Sequence, residues 1–281
     1  MILEGSPPAF LVWGRILLGA AVLLVFLHRS GERLPERRDW GHLAVLGLVM
    51  SGLPFLLIAW GEERITSALT AVLNACTPLF AATFAAGLLR ERLRRPQLAG
   101  LLIGFLGVAV VAGVGGRDLA GSSLTGVLAV VAATAGYGFS FAYAARFAAK
   151  LSALQLSLGQ LLVGAALLTP AAAIDLARGQ VHLTPLRLAC LAVLGGLGTG
   201  YAYLLNYRTL QERGATFAAL VTYLVPIVGV TVGIVVLGEP FSYRLVAGGL
   251  AIVAGIALVQ GRLLGPRQPT RTGVPEPATC D

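Results

Sequence analysis

The sequence predicts an all-α integral membrane protein, an inverted-repeat helical bundle with nine transmembrane helices. Its composition is 57% hydrophobic and only 12% charged over 281 residues, with a mean hydropathy of +0.82. One water-soluble core of this length cannot bury so much apolar surface. The apolar residues also form runs that match the thickness of a bilayer, and the two halves of the chain repeat each other. These observations favour a multi-pass membrane bundle over a soluble domain.

Nine apolar runs of roughly 20 residues follow one another along the chain, and each is long enough to cross the hydrocarbon core as a helix. Pro7 and Pro8 suit the first turn of the first helix, where a missing N–H costs little. That helix also holds Arg15, whereas most of the others carry no charge in their centres. The predicted spans are 8–27, 42–60, 66–89, 96–114, 123–145, 153–174, 187–207, 215–237 and 244–262.

Two long stretches are copies of one another. Residues 66–91 and 214–239 match at a shift of 148, and a shift of 145 matches the RILLGAA that begins at Arg15 with the QLLVGAA that begins at Gln160. The matched pairs include Asn74 with Thr222, Pro78 with Pro226, Glu91 with Glu239, Gly52 with Gly200, Gly100 with Gly248 and Gly107 with Gly255. Two registers of this length indicate a tandem duplication. The first repeat is predicted over 1–115, the second over 123–262, and a proline-rich, disordered tail over 263–281.

The repeats are predicted to have opposite orientations in the membrane. Of the 21 Lys and Arg residues, 15 fall in one set of alternate loops and five in the other, and Arg15 lies in a span. The positive-inside rule makes the first set cytoplasmic, so the C-terminus is predicted inside and the N-terminus outside. Span 8–27 then runs inward while its match, 153–174, runs outward, which is the inverted arrangement typical of secondary transporters.

The chain resembles the EamA family of the drug/metabolite transporter superfamily. The resemblance rests on a proline in mid-helix, a glutamate some 13 residues later and then spaced glycines, a pattern that occurs after both Asn74 and Thr222. It covers about 8–262 and implies ten helices in two inverted five-helix repeats that move amino acids and other small metabolites. The first helix of that pattern is absent. Either the nine-helix form is genuine or a start codon lies upstream of Met1, and the second is favoured because deletion leaves one wall of the pathway unmatched.

Polar residues inside the spans are the candidate substrate-binding or gating positions. Pro78 and Pro226 cannot donate to the carbonyls of residues 74 and 222, so each helix is predicted to hold an unpaired acceptor near mid-membrane, or else a bend satisfied by neighbours. Arg15 lies on the order of 10 Å from the outer face, where it either snorkels or binds a carboxylate or phosphate. The full candidate set is Arg15, Asn74, Pro78, Tyr137, Gln160, Tyr203, Asn206, Thr222 and Pro226, with Glu91 and Glu239 as motif glutamates that either pair with loop cations or handle protons.

Several function classes are disfavoured. No Asp or Glu lies in the centre of a span, which argues against a carboxylate proton relay. The chain has no P-loop, no metal-ligand spacing and no nucleophile–base set, so neither a cofactor nor a catalytic reaction is predicted. The basic loops form no nucleic-acid face. The sequence therefore predicts a multi-pass carrier in the cell (plasma or inner) membrane, with a small-molecule solute and the lipid bilayer as partners, and it leaves a homodimer open. The alternatives are a truncated or non-transporting membrane subunit and, less favoured, an intramembrane enzyme.

Overall fold

The computed structural model describes residues 7–88, 93–111, 123–148, 150–179, 184–209 and 242–260, together with 181, 211, 228, 231–236 and 238. Every regular element in these ranges is a helix. We label the α-helices α1 Pro8–Ser30, α2 Trp40–Leu46, α3 Leu53–Glu62, α4 Ser67–Asn74, α5 Thr77–Leu88, α6 Arg95–Val111, α7 Leu124–Phe147, α8 Ala153–Ala177, α9 Pro185–Gly195 and α10 Tyr243–Gln260. A short 3₁₀ turn at Arg37–Asp39 precedes α2.

Helices long and apolar enough to cross a membrane account for most of the described chain. Six have this length, and α6 and α10 are shorter apolar helices. Together they lie at eight of the nine predicted positions, and the ninth, 215–237, falls largely outside the described residues. The six long helices are Pro8–Ser30, Arg37–Glu62, Ser67–Leu88, Leu124–Phe147, Ala153–Ala177 and Pro185–Thr209. A multi-pass helical membrane bundle therefore agrees with the structure.

Two of the long helices contain a π-helical segment. The first, Gly47–Gly52, joins α2 to α3, and the second, Gly196–Tyr201, follows α9 before the helix continues to Thr209. Both segments are rich in glycine, and their last glycines, Gly52 and Gly200, are matched in the sequence repeat. Wide π turns are rare and occur frequently at functional sites. Their recurrence at matched positions therefore directs attention to these two segments.

The helix that contains Pro78 is divided into two. The first part stops at Asn74 and the second begins at Thr77. Inside a helix, the proline ring has no N–H to donate and clashes with the preceding turn. At the second position of α5 Pro78 causes no such loss, because the first N–H groups of a helix have no partner within it. The carbonyl oxygen of Asn74 accepts a hydrogen bond of 2.8 Å from the Thr77 hydroxyl. Of the two alternatives predicted for residue 74, the unpaired carbonyl is therefore wrong, and the bend satisfied by a neighbour is the one observed, since the Thr77 hydroxyl replaces the missing donor. Its counterpart, at residue 222, lies outside the described residues.

Glycines set the contact between α6 and α10. A Cβ atom built on Gly100 would lie 2.6 Å from the carbonyl oxygen of Gly255, and one built on Gly107 would lie 2.7 Å from that of Gly248. The two helices are therefore antiparallel where they cross. Because only glycine fits at these positions, the backbones approach more closely than larger side chains would allow.

A second set of glycine contacts joins α1 and α8 to the π segments. A Cβ atom on Gly19 would lie 2.9 Å from the oxygen of Gly195 and 3.0 Å from the nitrogen of Gly200. On α8, a Cβ atom on Gly164 would lie 3.4 Å from the oxygen of Gly47 and 3.7 Å from the nitrogen of Gly52. The repeat registers relate Gly19 to Gly164, and Gly195 and Gly200 to Gly47 and Gly52. The same contact is thus made twice with the roles of the two halves exchanged.

The loop before α2 and the start of α8 lie at the same end of the bundle. Ser152 caps α8 in a capping box with Gln155, and its hydroxyl also donates to Glu32 Oε2 at 2.6 Å. The Gln155 side chain donates to the carbonyl of Arg33 at 3.0 Å. Near the opposite end, the Trp13 indole donates to the Thr169 hydroxyl at 3.1 Å. Helices α1 and α8 are therefore antiparallel and are joined near both ends.

Candidate functional site

The side chain of Arg15 extends from α1 towards neighbouring helices. Its Nε donates to Thr199 Oγ1 at 2.6 Å, and its guanidinium carbon lies 4.3 Å from the centre of the Phe55 ring. Arg15 is partly buried, and within the described ranges no carboxylate forms an ion pair with it. A hydroxyl and an aromatic face thus hold this cation among α1, α3 and the second π segment.

Two further aromatic side chains surround Phe55, the ring on which the guanidinium group lies. Phe55 stacks on Tyr203 with the ring centroids 6.3 Å apart and meets Tyr137 edge to face at the same distance. The Tyr203 hydroxyl donates to the carbonyl of Met50, in the first π segment, at 3.1 Å. These contacts, together with the Tyr207–Gln160 hydrogen bond described next, bring residues from α1, α7, α8 and both π-containing helices into one group. We call it the central polar cluster: Arg15, Ser51, Phe55, Tyr137, Gln160, Thr199, Tyr203 and Tyr207.

Gln160 belongs to this cluster through Tyr207. The Tyr207 hydroxyl donates to Gln160 Oε1 at 3.0 Å, and both residues are buried. Gln160 Nε2 has no hydrogen-bond partner in the described chain, and the Ser51 hydroxyl lies near the Tyr203 hydroxyl without a hydrogen bond of normal length. Buried polar atoms without partners are rare in folded proteins, and at a site they are available to a ligand or to water.

The two halves of the cluster correspond in sequence but differ in contact. Under the repeat registers, Arg15 falls on Gln160 and Ser51 falls on Thr199. Arg15 and Thr199 are bonded, whereas the corresponding atoms of Gln160 and Ser51 are both without partners in the described chain. The cluster therefore has one cationic half, in which Arg15 and Thr199 are bonded to each other, and one neutral half, in which Gln160 and Ser51 are not.

The other predicted site residues lie apart from this cluster or outside the described chain. Asn74 Oδ1 and Asn206 Oδ1 are both buried without a hydrogen-bond partner among the described residues. Asn206 is one turn from Tyr203 on the same helix, whereas no hydrogen bond in the described chain joins Asn74 or Pro78 to Arg15. Thr222, Pro226, Glu91 and Glu239 lie outside the described residues. The structure thus brings together Arg15, Tyr137, Gln160 and Tyr203.

Sequence reasoning missed Ser51, Phe55 and Tyr207. A serine, a phenylalanine and a tyrosine do not stand out in an apolar span, because each also occurs as an ordinary packing residue. The repeat register held a signal for two of them, since Ser51 falls on Thr199 and Phe55 on Tyr203.

Removal of the Tyr207 hydroxyl tests the packing of the cluster. Tyr207→Phe is expected to destabilise the protein by about 1–3 kcal/mol, because it leaves the buried Gln160 amide without its described partner. The measurement is thermal unfolding of the purified chain in detergent. Tyr201→Phe is the control, since Tyr201 lies on the same helix and is 40% exposed. Equal stability of the two variants would contradict the Tyr207–Gln160 bond.

A cleft of about 510 Å³ opens at the end of the bundle where α1 begins. Its walls are mostly apolar, and Asp175 adds a carboxylate whose Oδ2 has no partner in the described chain. The lining residues are Pro7, Pro8, Ala9, Leu56, Leu57, Trp60 and Asp175. Leu56 adjoins Phe55, so this cleft lies beside the helix that supports the cluster.

A helical membrane bundle with a cation and unused donors near its centre has the architecture of a multi-pass membrane transporter. The chain belongs to the EamA-like transporter family, whose model matches residues 1–113 and 124–260. The match covers both predicted repeats, and the resemblance stated from the sequence is confirmed.

Individual relatives support this class. The chain is 28% identical over 275 residues to a protein of Streptantibioticus cattleyicolor named "Probable terminal-alkyne amino-acid exporter", with 96% of this chain and 90% of that protein covered. It is 25% identical to the "Uncharacterized inner membrane transporter YedA" of Escherichia coli K12, covering 99% of this chain and 90% of that one. A solved structure titled "Crystal structure of protein" shares the fold. The TM-score is 0.64 at 21% sequence identity, and the match covers 92% of this chain and 91% of that one. The protein is thus a multi-pass membrane transporter.

Proposed function

We propose that the protein is a secondary transporter that exports small metabolites, amino acids or related solutes, by alternating access. The observation that carries this proposal is the central polar cluster, in which a cation and unpartnered donors lie where the two sequence repeats meet. Ionisable residues inside a membrane bundle are costly and generally mark a solute or ion path.

Reciprocal glycine contacts support two inverted repeats, over 1–115 and 123–262. Gly100 contacts Gly255 while Gly107 contacts Gly248, and the repeat relates Gly100 to Gly248 and Gly107 to Gly255. A two-fold axis would produce such an exchange of partners. Because α6 and α10 are antiparallel, that axis is perpendicular to both and lies in the plane of the membrane, as it does in inverted-repeat transporters.

The two π segments supply a mechanism for the change of access. Each lies at mid-helix beside the cluster, and each is crossed by the first matched helix of the other repeat, α1 or α8. A bend at one segment would open the cluster to one side of the membrane, and a bend at the matched segment would open it to the other. A transporter of this kind would be asymmetric in each of its two states, with one matched pair closed and the other open. The bonded Arg15–Thr199 pair and the unbonded Gln160–Ser51 pair differ in this way.

Amino-acid export is the specific form of the proposal. Its support is the name of the Streptantibioticus relative, at 28% identity over nearly the whole chain. The rival function is a membrane subunit that moves no solute, and an intramembrane enzyme is the more distant alternative.

Solute flux through the reconstituted chain tests this proposal. L-Propargylglycine is a simple terminal-alkyne amino acid, and its alkyne allows sensitive detection by cycloaddition to a fluorescent azide. We expect proteoliposomes loaded with this solute to release it faster than empty-vector vesicles and to show counterflow, which is typical of a carrier.

We propose that Asn74 Oδ1, a buried acceptor without a partner in the described chain, contacts the solute along its path outside the central polar cluster. Asn74→Ala is then expected to slow flux by about tenfold, the value of one lost hydrogen bond. Gly87→Ala is the control on α5, because a Cβ atom there meets nothing within 4 Å. Folded protein that carries neither L-propargylglycine nor any of the natural amino acids would instead favour the non-transporting subunit.

A further inference from the structure

We propose that Arg15 binds the carboxylate of the solute, and that Thr199 and Phe55 position its guanidinium group for this contact. This inference rests on the proposed function and assigns the chemical class of the solute: a small molecule with one carboxylate and no net positive charge. It also gives two groups, the Ser51 hydroxyl and Gln160 Nε2, a role as uncharged donors to the same solute.

The geometry of Arg15 leaves the paired donors of its fork unused. The Nε–H is bonded to the Thr199 hydroxyl, and Phe55 covers one face of the planar group. The terminal amino groups have no hydrogen-bond partner in the described chain. Since a guanidinium fork binds a carboxylate through two parallel hydrogen bonds, a group held at Nε and on one face is oriented for that contact.

The energetics of the membrane point the same way. A cation in a bilayer is costly unless a charge of opposite sign or water compensates it. A hydroxyl and an aromatic ring compensate Arg15 only in part, and no described carboxylate forms an ion pair with it, although the charge of Glu62 acts on Tyr137 in the same cluster. A bound carboxylate would complete the compensation, whereas a bound ammonium group would increase the cost. The site therefore selects against cationic solutes.

The matched half of the cluster limits the solute to one anionic group. Gln160 occupies the position of Arg15 and is neutral, so the two halves carry a single cation. Tyr207 holds Gln160 by Oε1, which leaves Nε2 as a donor without a partner in the described chain, and the Ser51 hydroxyl has none either. Phe55, Tyr137 and Tyr203 form an aromatic wall for the apolar part of the solute.

Binding to the full chain in nanodiscs tests this assignment. Three ligands with the same alkyne form a matched set: L-propargylglycine, pentynoate, which lacks the ammonium group, and butynylamine, which lacks the carboxylate. We expect pentynoate to displace L-propargylglycine, and butynylamine not to do so. Displacement by butynylamine as strong as that by pentynoate, or displacement by inorganic phosphate but not by pentynoate, would overturn the carboxylate assignment.

Variants of Arg15 locate the contact. Arg15→Gln is expected to weaken binding of L-propargylglycine and pentynoate by about 10- to 100-fold, the range of a lost charge-assisted hydrogen bond, whereas Arg15→Lys retains part of the affinity. Arg64→Gln is the matched control, because Arg64 also lies over an aromatic ring, that of Trp60, at the end of α3. If the Arg15→Gln protein is folded and binds both carboxylates with wild-type affinity, the inference is overturned.

Thr199 acts through Arg15, and its variants test that role. Thr199→Val is expected to weaken binding of both carboxylates while Thr199→Ser restores it, a recovery that a purely structural methyl contact would not give. Flux of butynylamine equal to that of L-propargylglycine would overturn the carboxylate site and leave the carrier function intact. Lack of flux for every solute by folded protein would overturn the carrier function itself.

Discussion

Gly100→Val and Gly255→Val are each expected to abolish the folded protein. A Cβ atom on Gly100 would lie 2.6 Å from the Gly255 oxygen and 2.9 Å from the Val259 nitrogen, and one on Gly255 would lie 2.6 Å from the Gly104 nitrogen. These neighbours are backbone atoms, which cannot move aside as a flexible side chain can. The two helices would have to separate along the crossing. We expect the yield of monodisperse protein on size-exclusion chromatography to fall to background.

The membrane environment makes this penalty large. Overpacking in a core costs about 1–3 kcal/mol where side chains can adjust, and more where they cannot. In lipid, helices associate through close packing and not through the hydrophobic effect, so a lost backbone contact has no such compensation. Here the contact joins the last helices of the two proposed repeats.

Gly249→Ala is the matched control for these substitutions. It adds a methyl group to α10 itself, where the nearest atoms belong to the Val72 side chain at 3.7 and 3.9 Å. We expect its yield and melting temperature to equal those of the wild type. If Gly100→Val behaved like Gly249→Ala, the contact between α6 and α10 would be contradicted.

The repeat predicted which glycines are equivalent but not which ones touch. Sequence alignment relates Gly100 to Gly248 and Gly107 to Gly255, whereas the structure packs Gly100 against Gly255 and Gly107 against Gly248. The exchange depends on the position and direction of the axis that relates the repeats, and no local pattern of residues contains that information. Hydropathy gave the positions of eight helices because burial in lipid requires a long apolar run, whatever its neighbours are.

Breaks inside the helices were harder to predict. Pro78 indicated a bend, yet the donor that satisfies the Asn74 carbonyl is the neighbouring Thr77 hydroxyl, whose rotamer is set only in the folded chain. The π segments left no signal in hydropathy, because a wider turn changes hydrogen-bond spacing and not composition. Their glycines became informative only when their contacts with Gly19 and Gly164 were known.

The residues of the candidate site were also only partly predictable from the sequence. Arg15 and Gln160 were predictable because a polar side chain in an apolar span is costly and therefore conspicuous. Phe55 was not, since an aromatic residue in a span is ordinary until a cation is seen over its ring. The partner of Arg15 is 184 residues away in the chain, and only the fold determines that distance in space.

Cysteines introduced at Glu36 and Lys150 are expected to react with a membrane-impermeant maleimide only after permeabilisation, whereas cysteines at Glu63 and Arg178 react in intact cells. Glu36 and Lys150 lie near the Ser152–Glu32 hydrogen bond, which places both loops at one end of the bundle. Glu63 caps the end of α3 and Arg178 the end of α8, at the opposite end. The excess of cations in the first set of loops predicts that this end faces the cytoplasm. The background carries substitutions of Cys76, Cys190 and Cys280.

This labelling experiment separates orientation from packing. Reaction of Glu36→Cys and Lys150→Cys from outside, with Glu63→Cys and Arg178→Cys protected, would reverse the whole bundle but retain the inverted repeats. Reaction of Glu36→Cys and Lys150→Cys from different sides would contradict the packing itself, because α1 and α8 could then no longer be antiparallel. The reciprocal glycine contacts of α1 and α8, the proposed two-fold axis in the membrane plane and the proposed shared solute site all require that antiparallel pair. A split result would therefore contradict the proposed mechanism of alternating access, whatever solute the protein carries.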